Sequence, residues 1–154
     1  MRVFVMPVLA LFAALLLTPA ANAAGTAEAT IPAAARIQPA DFAQMLHAGR
    51  PQPTILQVGS SVLFAEAHIP GSQYAGPTAQ QDGIQNLKTH VDKLPRDAAL
   101  VIYCGCCPWT RCPNVAPAFL QLQSMGFTNV KVLYLADNFG DDWVSKGYPV
   151  ARDK

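Results

Sequence analysis

Apolar positions are distributed very unevenly along the chain. Residues 3–17 are apolar without a single charge and sit directly behind Met1-Arg2; Thr18-Pro19-Ala20 and the small-residue triplet Ala21-Asn22-Ala23 follow. A basic start, an apolar run and a small-residue cleavage site are the order of a secretory signal peptide. Residues 1–23 are therefore expected to direct export and to be removed, to the periplasm of a bacterium with an outer membrane or otherwise to the outside. The run is shorter than the roughly 20 apolar residues of a spanning helix, so no stable membrane insertion is expected after cleavage. Retention as an anchor is the alternative. Residues 24–35, rich in Ala, Thr and Pro, read as a flexible lead-in, and residues 36–154 as one domain.

Within that domain the periodicity alternates. Ile37-Gln38 is a candidate edge strand. Phe42, Met45 and Leu46 recur at helical spacing and predict a helix over 39–49, with Gly49 as its stop. Residues 54–58 read as a strand between Pro53 and Gly59. Ser60 or Ser61 can cap a short helix over 62–67. His68-Ile69-Pro70-Gly71-Ser72 breaks it, because the residue before proline is pushed out of helical geometry. Ile84, Leu87, Val91 and Leu94 share one face of a helix over 83–94. Residues 98–103 are continuously apolar, as a buried parallel strand is. Asn114 can cap a helix that accepts Pro117 in its first turn and ends at Gly126. Residues 130–134 form the last strand. Strands alternating with helices imply an α/β domain, a parallel sheet covered on both faces.

Composition changes this picture in two respects. The chain is 51% hydrophobic and 14% charged, but the excess belongs largely to the leader; 11 basic residues stand against 10 acidic ones with no basic run or stripe, which argues against a nucleic-acid partner. The second respect is cysteine. Four cysteines in an exported chain would ordinarily staple distant parts of a fold. Here Cys104, Cys106, Cys107 and Cys112 are too close together to do so.

The loop that holds them, Cys104-Gly105-Cys106-Cys107-Pro108-Trp109-Thr110-Arg111-Cys112, lies between a buried strand and a helix start. In an open α/β sheet ligands gather at the carboxyl ends of the strands. Inward amides and a helix N-terminus there favour thiolate over thiol, so a cysteine at this place is a candidate nucleophile. Arg111 adds a fork able to hold a tetrahedral oxyanion.

On these residues the chain resembles the rhodanese-like sulfurtransferase domains. The similarity runs from about Ile37 to Val150: strand and helix, then His68-Ile69-Pro70-Gly71-Ser72, the apolar strand ending in Tyr103-Cys104, a helix into Met125-Gly126-Phe127, and a closing Trp143 with Gly147-Tyr148-Pro149-Val150. The resemblance implies a five-stranded parallel sheet with helices on both faces. It also implies a loop cysteine that takes sulfane sulfur from a small donor, such as thiosulfate or a persulfide, and passes it to a thiol or cyanide acceptor. Three departures stand out. Gln57-Val58-Gly59 replaces the family's Asp-x-Arg, so an ion pair that brackets the loop is missing. Asp137-Asn138-Phe139-Gly140 replaces a Gly-Gly. And the usual C-x4-R loop is enlarged: Cys104 matches by position but lies six residues before Arg111, whereas Cys106 has the four-residue spacing.

Cys104 is accordingly the first choice of nucleophile and Cys106 the alternative, with Arg111 as anion binder and Gly105, Cys107, Pro108, Trp109 and Thr110 as substrate loop. A local disulfide, Cys107–Cys112 or Cys106–Cys112, is compatible with this. No cofactor is required. Zinc or copper(I) on the cysteines is disfavoured by the tight spacing and the absence of a nearby histidine. A thiol–disulfide role with a redox partner protein, or a catalytically silent domain, are the other readings. His68 is expected to make a structural bond in its turn, His47 and His90 to be solvated, Trp143 and Phe139 to be core, and Trp109 to line the substrate mouth or plug the loop.

Overall fold

A computed structural model describes residues 27–48 and 51–153. Residues 1–23, expected to be a leader, and Gly49, expected to stop a helix, lie outside the described residues. A five-stranded parallel sheet runs through the domain in the order β1-β5-β4-β2-β3. Its strands are β1 (Arg36–Ile37), β2 (Thr54–Gln57), β3 (Gln73–Tyr74), β4 (Leu100–Tyr103) and β5 (Val130–Leu133). Five helices accompany it: α1 (Ala27–Thr30), α2 (Pro39–His47), α3 (Ser61–Glu66), α4 (Gln81–Val91) and α5 (Val115–Ser124). Among the described residues no helix is long and apolar enough to cross a membrane.

The period of two along each strand divides the core. Leu56, Leu100, Ile102 and Val132 face one way, where they pack with Leu87 and Val91 of α4 and with Val115, Phe119 and Leu122 of α5. Ile55, Val101, Tyr103 and Leu133 face the other way, against Phe42 and Ala43 of α2 and the aromatic pair Phe139 and Trp143. Both helices and strands thus follow the expected pattern, and Phe139 and Trp143 are core. Trp143 donates its indole N–H to Pro149 O at 2.8 Å.

Several elements differ in detail. The apolar face of α2 is Phe42 and Ala43, while Met45 points to solvent. Helix α4 starts at Gln81 and buries Gly83, whose missing side chain leaves room for the Pro77 carbonyl; Leu94 lies beyond its end. Strand β3, two residues long, is too short to show a period. The segment expected to be a flexible lead-in joins the core from residue 27 on. Ala27 and Ile31 are buried beneath α5 and the cysteine loop, and Arg36 ties this segment down through Ile31 O and Glu28.

The turn after α3 is held by its neighbours. His68 pairs with Ala151 through both backbone groups, donates from Nδ1 to Phe64 O at 2.8 Å and stacks on the Phe64 ring, a structural role as expected. His90 bonds Asn86 O on α4, and His47 is exposed. The Tyr103 hydroxyl accepts from the buried Ile69 N–H at 3.2 Å and pairs with Ser72 Oγ at 3.2 Å. Burial pushes its ionisation up to about 12. Tyr103→Phe removes the acceptor and leaves that amide unpaired. It should lower the unfolding free energy by about 1–3 kcal/mol, read from urea denaturation with an unchanged m-value.

Candidate active site

Strand β4 ends at Tyr103, and the alternation carries Cys104 into the same face as Leu100 and Ile102. Its thiol is therefore buried, only 4% exposed. Close packing surrounds it. A Cβ on Gly59 would stand 2.9 Å from Cys104 Sγ, so only glycine fits at that position without displacing the thiol. Asn114 donates from Nδ2 to Cys104 Sγ at 3.4 Å, while its Oδ1 accepts from Ala79 N and its backbone oxygen from Thr78 Oγ1. The side chain expected to cap α5 is thus turned inward to the thiol, and α5 begins without a side-chain cap.

Gln57 takes the place of the missing ion pair with a neutral bracket. It is 2% exposed, accepts from Gly59 N at 3.1 Å and donates to Ser60 O at 3.4 Å, closing the turn beside Cys104 without any charge. On the other side Phe139 donates its N–H to Gly105 O, and its Cβ would stand 3.1 Å from a Cβ on Gly105, so that a side chain there would push Phe139 aside.

The enlarged loop then turns around Trp109. A single 3₁₀ turn, Trp109–Arg111, folds back on Pro108, and the indole is buried at 3% exposure against Tyr134. Its N–H donates to Glu28 Oε2 at 2.6 Å, and Arg36 lies over its ring. Trp109 is the plug of the loop and is not in the wall of the cavity beside it. Arg111 is exposed, and its side chain has no hydrogen bond or ion pair among the described residues.

All four cysteines are free thiols. The sulfur atoms of Cys104, Cys107 and Cys112 lie within 4.8 Å of one another. Cys106 Sγ is 3.2 Å from Cys104 Sγ and 2.7 Å from Cys107 Sγ, and it alone of the four is exposed. The thiolate expected at Cys104 is not favoured there: its hydrogen bond with Cys106, together with burial, pushes the thiol above the usual cysteine range, against an opposing bond with Cys112. Burial raises Cys107 as well. Cys112 is raised by its bond with Cys104 and by burial, although the backbone amides of Asn114 and Val115 act in the opposite direction. Among the described residues no basic side chain contributes to these shifts.

A cavity of about 290 Å³ opens beside the loop. Gly105 and Cys106 form part of its wall, with Gln57, Leu63, Glu66, Ala67, Tyr103, Asn138, Phe139 and Val144. Cys104, Cys107, Pro108, Thr110 and Arg111 are not in it, and Glu66 is its sole ionised wall residue. Sequence reasoning missed Gln57, Gly59, Asn114 and Phe139 as parts of the site. The replacement of the expected pair by Gln57-Val58-Gly59 was the available signal for the first two.

The profile of the rhodanese-like domain family matches residues 38–135. Several solved structures are similar in fold. A rhodanese-like domain from Anabaena sp. superposes with a TM-score of 0.57 at 20% identity over 77% of this chain and 79% of that one. A Bacillus halodurans protein gives 0.59 at 18% identity over 76% of each chain. Thiosulfate sulfurtransferase from Pseudomonas aeruginosa gives 0.56 at 24% identity over 77% of this chain, but only 19% of its own length is covered. No curated protein matches in sequence.

The clamp on Trp109 has a definite pH dependence. Hydrogen bonds from Arg36 and Trp109 hold the Glu28 carboxyl below the usual carboxylate range. A folded-state ionisation lowered in this way contributes stability that is present at neutral pH and lost as pH falls through the lowered value. Glu28→Gln should therefore be less stable than the natural protein at pH 7, and the difference should shrink as pH falls below the usual carboxylate range in urea denaturation.

Proposed function

The chain belongs to the rhodanese-like domain family, and from that premise we propose that it is an exported sulfurtransferase that carries sulfane sulfur as a persulfide on Cys106. The observation that carries the choice of Cys106 is its place: it is the exposed thiol in the cavity wall, whereas Cys104 lies behind it, buried and held as a thiol. The four-residue spacing to Arg111 fits the same choice.

The step is a displacement at sulfur. Cys106 thiolate attacks the outer sulfur of a donor R–S–SH, the S–S bond breaks, and the donor leaves as RS⁻ while Cys106 becomes the persulfide. A thiol or cyanide acceptor then attacks the outer sulfur, and Cys106 thiolate is the leaving group. No net oxidation occurs in either half. The thiols of Cys104, at 3.2 Å, and Cys107, at 2.7 Å, are the groups beside the Cys106 sulfur.

The cavity also speaks to the donor. The Pseudomonas neighbour is a thiosulfate sulfurtransferase. Here the wall is mostly apolar, Glu66 puts a negative charge in it, and Arg111 stands outside. A dianion such as thiosulfate meets repulsion without compensation, so a neutral or weakly charged organic persulfide fits better. A second reading rests on the 3.2 Å contact of Cys104 and Cys106: a dithiol–disulfide couple exchanging with a redox partner protein.

Mass spectrometry of the reduced protein after exposure to an alkyl persulfide tests the assignment. One added sulfur atom is expected on the natural chain and on Cys104→Ser, and none on Cys106→Ser, with slower loading from thiosulfate. Loading that survives in Cys106→Ser and is lost in Cys104→Ser would return the role to Cys104. Formation of a Cys104–Cys106 disulfide without any sulfur adduct would favour the redox reading.

A further inference from the structure

Three of the four thiols form no bond to the transferred sulfur, yet the fold brings them together. Cys107 and Cys112 flank the 3₁₀ turn Trp109–Arg111, which reverses the chain, so their sulfurs meet that of Cys104 at the end of β4. The tight spacing that argued against a metal in the sequence is thus bridged by one turn around the buried Trp109.

We propose that Cys104, Cys107 and Cys112 form a three-coordinate thiolate site for a soft monovalent metal ion, copper(I), behind the cavity. The donor set is sulfur throughout, which selects soft cations over magnesium, calcium or manganese. With metal–sulfur bonds of about 2.3 Å, a planar three-thiolate site needs sulfurs about 4.0 Å apart. The three sulfurs already lie within 4.8 Å of one another, so small rotations suffice. A structural zinc ion takes four ligands, with sulfurs about 3.8 Å apart. The remaining thiol is not part of that cluster: Cys106 is exposed and belongs to the cavity wall.

The surroundings of the three sulfurs suit bound thiolates. Asn114 Nδ2 donates to Cys104 Sγ and is itself fixed by Ala79, an outer partner that orients a ligand. Cys112 lies just before α5, whose N-terminal end carries positive potential. Cys104 and Cys112 are buried, which keeps water and oxidants from a copper(I) centre, while half-buried Cys107 leaves a path for the ion. Binding exchanges thiol protons for the metal and changes no oxidation state.

The test is anaerobic titration of the reduced full chain with copper(I) against a competing copper(I) chelator. One ion per chain is expected, held equally by Cys106→Ser and weakened roughly tenfold or more in Cys107→Ser and Cys112→Ser, since losing even an outer partner of a ligand costs that much. X-ray absorption should show three sulfur neighbours at about 2.3 Å. Cys107 is partly exposed, so Cys107→Ser answers the question should Cys112→Ser fail to fold. Affinity unchanged in Cys107→Ser, loss of the ion in Cys106→Ser, or four-sulfur coordination of zinc(II) at comparable affinity would each overturn the proposal. Sulfur loading fails independently of all three outcomes, because it is read on Cys106.

Discussion

Strand β4 is the constraint on which the site depends. It pairs with β2 on one edge and β5 on the other, and all four of its residues are buried. A strand held on both edges and both faces has no freedom of register. The residue that follows it inherits that register, so Cys104 enters the core face with Leu100 and Ile102, and Tyr103 enters the opposite one. A shift by one would place Cys104 among Phe139 and Trp143 and would turn the tyrosine out from the turn it holds. The positions of the other three thiols follow from where the first is pinned.

The second consequence is a division of labour by burial. The loop carries no ionised partner for a thiolate within it: Arg36 is engaged with Glu28 and the Trp109 ring, and Arg111 faces solvent. In a neutral, close-packed setting the desolvation of a thiolate is not compensated. The thiols that turn inward therefore remain protonated unless a cation joins them, and reactivity is left to the one that stays in contact with water. Gln57 fits this economy of charge, since a buried carboxylate in its place would itself require a cationic partner.

The fold was largely legible in the sequence because its central elements are strongly periodic. The continuous apolar run into Tyr103 reports a strand buried on two faces, and the helix that ends at Gly126 carries its own stop, with glycine at φ +87°. The loop was less legible because its conformation depends on partners remote in sequence. Position after the strand put Cys104 first and the spacing to Arg111 offered Cys106 as the alternative; which one is exposed follows from Gly59, Asn114 and Phe139, contributed by three other segments. The inward turn of Trp109 depends on Glu28, in a stretch whose composition reads as unstructured. Asn114 has the identity of a helix cap, but a buried thiol within reach competes for its amide.

The bond between Trp109 and Glu28 joins residues 81 positions apart. Closing a loop of that length costs chain entropy, which the packing of the buried indole offsets. The contact holds the turn that carries the cysteines, of which Cys104 and Cys112 are buried, Cys107 is half covered and Cys106 is exposed. A run of like residues thus acquires distinct surroundings from topology alone.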